Sequence, residues 1–202
     1  MKVTVKMGLL FAAIWIASKM IFFITGITEK EIIPSVLLNI LFMLMAISFG
    51  LYFHKRKEIK NHFDAKTIDN LDVSDVLLEE SSMLSDIKNG LKSGVPYAII
   101  VSLFLFFYYD TIDPDFNQHQ ISEAEMGIQK LLDNPAELDK IRAENEDFEV
   151  MTKDEIYNSM VQGPQIFYNA KSTAIVSMLA LLMLATLNSI FVTIIYRKVV
   201  FK

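Results

Sequence analysis

The chain of 202 residues contains no cysteine. Disulfide bridges, thiolate metal sites and cysteine nucleophiles are excluded at once. Tryptophan occurs once, histidine three times, and proline and glycine only five and seven times. Glycine this sparse leaves no phosphate-cradling loop, and neither a GxSxG nucleophile elbow nor an HExxH pair is present. His54 and His62 flank a basic run without the paired Glu-x-x-His spacing of a metal centre, and His119 is equally isolated. No catalytic, metal or cofactor residues are therefore expected. A lysine-rich face suited to nucleic acid is also missing. The acidic run Glu144, Glu146, Asp147 and Glu149 lacks the glycine and alternating ligands of a calcium loop, so it reads as a solvated face.

What the chain has in abundance is apolar length. Hydrophobic residues make up 52% of it, and they gather into four stretches: 7–27, 33–53, 91–109 and 172–196. A helix of about 20 residues at 1.5 Å rise matches a hydrocarbon core of about 30 Å, which is more than a soluble core helix needs. The expected fold is an all-α integral membrane protein, a bundle of four transmembrane helices forming one domain over 1–202. The third stretch is the shortest, with an uninterrupted run only from Val95 to Tyr109, and it needs Leu91 or Ile112 for full length. Pro96 is tolerated near a helix start, and Tyr108 with Tyr109 suits a membrane interface.

Orientation follows from the cations. Apart from Lys19, twelve of the Lys and Arg residues fall in the N-terminal segment, the second connection and the C-terminal tail, against six in the first and third connections. Four of the twelve, Lys55, Arg56, Lys57 and Lys60, crowd the end of the second stretch. The positive-inside rule then puts both termini in the cytoplasm. Lys2 and Lys6 before an apolar run also fit a secretory signal peptide, but the run is longer than a signal core and no small-x-small cleavage site follows.

The connections carry their own patterns. Thr28–Ile32 is expected to be a tight turn. In 54–90, Val73, Val76, Leu77, Leu84, Ile87 and Leu91 recur at helical spacing, which predicts an amphipathic interface helix before the third span. Glu79 and Glu80 make it acidic and argue against a polybasic lipid site, although Lys88 and Lys92 can reach headgroups. The segment 110–171 is too long for a bare loop. Ser122 with Glu125 and Thr152 with Glu155 match capping boxes, and Ile121, Ala124, Ile128, Leu131 and Leu132 trace an apolar face. The expectation is an acidic extracytoplasmic helical cap, with Pro164 opening the fourth helix.

This order of parts resembles a family of bacterial inner-membrane proteins, found mainly in Bacteroidetes, called domain of unknown function 4199. The resemblance covers nearly the whole chain. It is carried by Gly8-Leu9-Leu10, by Asp86-Ile87-Lys88-Asn89-Gly90-Leu91-Lys92-Ser93-Gly94, and by Tyr108 with Asp113-Pro114-Asp115-Phe116. It implies a fold and a bacterial inner membrane, and it supplies no site residues.

Three polar positions stand inside the apolar stretches. Lys19 costs about 2.5–3.5 kcal/mol to insert at a bilayer centre, and the ten Leu, Ile and Phe residues of its stretch return roughly 3–6 kcal/mol. Either its stem snorkels to the interface, or it pairs with Asp110 or Glu29 at the outer boundary. Asn39 and Asn188 are expected to join helices, at about 0.6 kcal/mol per interhelical hydrogen bond. The function expected from all this is a non-catalytic scaffold or regulatory module that contacts the lipid bilayer and a membrane or envelope protein, or a second copy of itself. The alternative is a small oligomeric transporter or channel subunit using Lys19, Asn39 and Asn188. Discontinuous spans and an inverted repeat, the marks of a transporter, are absent from the sequence.

Overall fold

The computed structural model describes residues 2–26, 33–65 and 82–200, and these are helical with no strand among them. In chain order the helices are α1 (Val3–Ile24), α2 (Ile33–Ala65), α3 (Met83–Phe107), α4 (Pro114–Asp133), α5 (Pro135–Glu144), α6 (Glu146–Glu149), α7 (Lys153–Phe167) and α8 (Ala170–Ile195). A π-helical turn, Tyr108–Ile112, continues α3, and another, Tyr196–Val200, continues α8. Four segments are long and apolar enough to cross a membrane: Val3–Ile24, Pro34–Glu58, Met83–Ile112 and Ala170–Val199. The chain has the helices of a membrane protein.

The third of these segments corrects the sequence reading. Instead of an interface helix followed by a span starting at Leu91, a single helix begins at Met83 and includes Leu84, Ile87 and Leu91. Asp86, Lys88, Asn89 and Lys92 interrupt the apolar run, but the helix continues through them: Asp86 meets cations from two other segments, and Lys92 donates to Asn89 one turn back. Val73, Val76, Leu77, Glu79, Glu80, Glu29 and the expected turn at Thr28–Ile32 lie outside the described residues. The end of α1 is closed by Gly26, whose φ of 71° is left-handed and whose N–H donates to the Phe23 carbonyl.

The chain divides into two compact units, 1–104 with 177–202, and 105–176. In the first, large apolar side chains cover the outside while several polar ones are enclosed. Leu37 is 60% exposed and Leu187 62%, with Leu10, Ile21 and Leu103 also turned outward. Ser93, Ser189 and Thr193 are fully enclosed, with Thr4, Asp86 and Lys55 nearly so. Apolar side chains outward and polar ones inward is the arrangement a hydrocarbon solvent favours. Aromatic contacts tie α1 to its neighbours: Phe11 stacks on Phe49 at 5.8 Å, and Trp15 meets Phe104 edge-on at 6.0 Å while its indole N–H donates to the Ser35 carbonyl.

The second unit is built around α4 and α7, whose Leu132, Ile156 and Val161 are buried. Tyr109 stacks on Phe116 at 5.1 Å, and the Tyr108 hydroxyl donates to Asp113 at 3.0 Å. Asn134 caps α5 by accepting from the Ala136 N–H, with Pro135 in the first turn. The capping box expected at Thr152 and Glu155 is present. The one expected at Ser122 and Glu125 is not, because α4 already starts at Pro114 and Ser122 lies within it. Leu131 is 39% exposed and leaves the apolar face, which runs through Ile128 to the buried Leu132. Pro164 does not open the last apolar helix. It lies near the end of α7, and its carbonyl accepts from the Tyr168 N–H. The next helix is started by Asn169, whose Oδ1 accepts from the Ser172 N–H at 2.8 Å.

Candidate functional site

The polar residues of the first unit converge on α3. Asp86, Asn89, Gly90, Ser93, Gly94 and Tyr97 recur at helical spacing, so they share one face of an otherwise apolar helix. All but Asn89, whose Oδ1 accepts from Lys92 of the same helix at 2.6 Å, meet another segment. At the start of the face, Asp86 is 2% exposed and lies between two cations. Arg197 Nε donates to its Oδ2 at 2.8 Å, and Lys55 Nζ stands 2.9 Å from its Oδ1. The Lys55 contact is an ion pair without hydrogen-bond alignment, since Oδ1 takes no aligned donor among the described residues. Lys55 also reaches Glu58 at 3.4 Å, and Glu58 lies 3.1 Å from His54 Nε2. The carboxylate therefore clamps α2, α3 and the turn after α8 to one another. Near it, the Tyr196 hydroxyl donates to the Ser48 carbonyl at 3.1 Å, a second tie between the end of α8 and α2.

One turn and more further on, the face narrows to small residues. Ser93 Oγ donates to the Thr4 carbonyl of α1 at 2.8 Å. A Cβ added to Gly8 would lie 2.2 Å from the Ser93 carbonyl oxygen, and one added to Gly50 would lie 2.0 Å from Ser93 Oγ. Gly90 and Gly94, four residues apart, face Ser189 and Ala185 of α8, which are also four apart. This is the close backbone approach that small residues at i and i+4 permit between membrane helices. Where the face ends, the Tyr97 hydroxyl shares its proton between Oδ1 of Asn39, at 2.7 Å, and the Asn39 carbonyl, at 3.0 Å.

Of the positions singled out in the sequence, Asn39 is thus engaged across α2 and α3. Asn188 is half-buried, and its Nδ2 has no hydrogen-bond partner among the described residues. Neither do the enclosed Ser189 Oγ and Thr193 Oγ1 of the same helix. Lys19 is enclosed by protein, 5% exposed, in the first unit. Asp110 belongs to the second unit, where it is exposed and accepts from the Thr111 hydroxyl at 3.4 Å. His119 lies exposed beside Glu123, and no group of three His, Asp or Glu side chains that could hold a metal ion occurs among the described residues.

In the sequence alone Lys55 and Arg197 are topogenic cations and Asp86 is part of a resemblance, so the Asp86 node is not among the candidate sites it offers. The signal was available in the i, i+3, i+4, i+7 recurrence of polar and small residues from Asp86 to Gly94, and in the Gly90-to-Gly94 spacing.

No protein-family model, curated protein or solved structure matches the chain.

Proposed function

We propose that this protein is a non-catalytic, multi-pass membrane scaffold whose four helices hold a helical segment, 110–171, on the outer side of a bacterial inner membrane for contact with another membrane or envelope protein. Both termini face the cytoplasm in this reading. The observation that carries it is how little space the helices leave where they cross. Where Gly8 and Gly50 approach Ser93, even a methyl group would collide. The buried charged groups of the same unit, Asp86, Lys55 and Arg197, are consumed in binding helix to helix. A passage or a reacting centre needs polar groups that face an opening; these face each other. Kinship with domain of unknown function 4199 belongs to the same proposal.

A second reading, an oligomeric transporter or channel subunit, draws on Asn188, Ser189 and Thr193, polar groups of α8 with atoms that find no partner among the described residues. Crosslinking in native membranes, followed by mild-detergent purification and mass measurement, separates the two. A reproducible heterologous partner is the expected result. A symmetric homo-oligomer without other proteins would move the pore reading ahead of a scaffold for a heterologous partner, and ion-flux assays would then decide.

A further inference from the structure

Beside the Asp86 clamp, the first turns of α1 and α3 and the end of α2 enclose an open cleft of about 440 Å³. Three ammonium side chains line it, Lys2, Lys57 and Lys92, each from a different segment. Glu58, which also lines it, is already held by His54 at 3.1 Å and Lys55 at 3.4 Å, so the excess charge of the cleft is positive. The α1 helix starts here without a side-chain cap, and its first turn contains no acid. The first N–H groups of a helix have no carbonyl partner within it and carry the positive end of the helix dipole. Thr4, in that first turn and lining the cleft, adds an independent observation. It is 2% exposed, and its hydroxyl finds no hydrogen-bond partner among the described residues, although its carbonyl accepts from Ser93. A buried hydroxyl without a partner is costly, and a turn of the Thr4 side chain toward the cleft would let a ligand oxygen there satisfy it.

We propose that this cleft binds a phosphate group, held by Lys2, Lys57 and Lys92 and by the hydroxyl and first-turn N–H groups at Thr4. Three cations from separate segments, together with backbone and hydroxyl donors, suit a tetrahedral anion with several acceptor oxygens better than a planar carboxylate. The cleft lies at the end of the first unit where the cations collect, so the phosphate belongs to an anionic lipid headgroup or to a free phosphate compound. The acidic connection argued against a lipid site in the sequence. The cleft is assembled instead from cations successively 55 and 35 residues apart in the chain, which no local run displays. This inference does not depend on the scaffold role, since a channel subunit would carry the same cleft.

The test uses the full chain in nanodiscs of phosphatidylcholine doped with phosphatidylglycerol, with retained lipid counted by native mass spectrometry. In parallel, the detergent-solubilised protein is heated with and without inorganic phosphate against chloride of matched ionic strength. Wild type is expected to prefer phosphatidylglycerol over phosphatidylcholine by about tenfold or more, with about tenfold lost on Lys57→Gln combined with Lys92→Gln and several-fold lost on Thr4→Val. Lys130→Gln, in the second unit, should change nothing. Retention of phosphatidylglycerol without any response to inorganic phosphate identifies a headgroup. Stabilisation by inorganic phosphate that Thr4→Val removes identifies a free phosphate compound. Should the double variant fail to fold, Lys57→Gln and Thr4→Val alone decide. Wild-type behaviour in both, or equal retention of the two lipids together with no phosphate response, overturns the proposal.

Discussion

Asp86 ties three segments of the first unit together. A carboxylate enclosed at 2% exposure is tolerable in this setting because Lys55 and Arg197 compensate it. Removing one member of such a set leaves the others buried and unpaired, so Asp86→Asn should destabilise the protein by about 3–5 kcal/mol. Replacing all three together, with Lys55→Met, Asp86→Leu and Arg197→Met, should recover most of that loss. Thermal unfolding of the purified protein in detergent reads both, and an Asp86→Asn protein as stable as wild type would show that the clamp does not hold the helices. The glycines make a sharper comparison, since one substitution should act in opposite directions at two places. Gly8→Ala drives a methyl into the Ser93 carbonyl and should cost about 1–3 kcal/mol through displaced backbone. Gly127→Ala, inside α4 with nothing within 4 Å of the new methyl, should gain about 0.5–1 kcal/mol from helix propensity.

Among the elements, α7 has the clearest start. Thr152 accepts from the Glu155 N–H, and the Glu155 carboxylate accepts from the Thr152 N–H at 2.8 Å and from its hydroxyl at 2.9 Å. Those donors, the backbone N–H first, hold the Glu155 carboxyl below its ordinary value of 4.5. The sign follows from linkage: a group whose folded pKa is depressed stabilises fully above its ordinary pKa, and that contribution is lost as pH falls through the lowered value. Amide-exchange protection in the first turn of α7 should therefore be constant at neutral pH and decline from the ordinary carboxylate range downward. Glu155→Gln should abolish the decline; a variant that keeps the wild-type pH profile would assign it to another group. At α3 the lesson is about boundaries. Hydropathy starts the third span at Leu91, yet the helix begins at Met83, since Asp86 is neutralised by residues more than 30 and 100 positions away in sequence.

For the whole molecule, the cation count and the helix contacts are mutually consistent. Contacts of Asp86 with Lys55 and Arg197, and of Ser93 with Thr4, bring the start of α1, the end of α2, the start of α3 and the turn after α8 to the same end of the first unit. That end holds Lys2, Lys55, Arg56, Lys57, Lys88, Lys92, Arg197 and Lys198. In the proposed topology consecutive spans alternate in direction, with both termini on one side. Reporter fusions after Lys60 and after Asn134 should accordingly report opposite faces of the membrane. The same face at both positions would remove the third crossing.

Four apolar segments, the expected charge asymmetry and the capping box at Thr152 were legible in the amino-acid order because each rests on local quantities: transfer free energy summed along about 20 residues, cations near a span end, and a hydroxyl three residues before a carboxylate. The start of α3 and the role of Pro164 were misjudged for the same reason, as both depend on contacts that a local window does not contain. Conformational necessity alone would place glycine at Gly26, but only packing explains Gly8, Gly50, Gly90 and Gly94, each of which faces a backbone or small side chain from another helix. Lys55 and Arg197 read as interchangeable surface cations until folding enclosed one carboxylate between them. Hydrophobicity is additive along the chain and determines which segments enter the membrane. Which polar groups then meet is decided by the tertiary arrangement, because a low-dielectric interior favours a charge or hydroxyl beside a partner, and Asp86, Ser93 and Tyr97 find theirs on another helix or at the chain's far end.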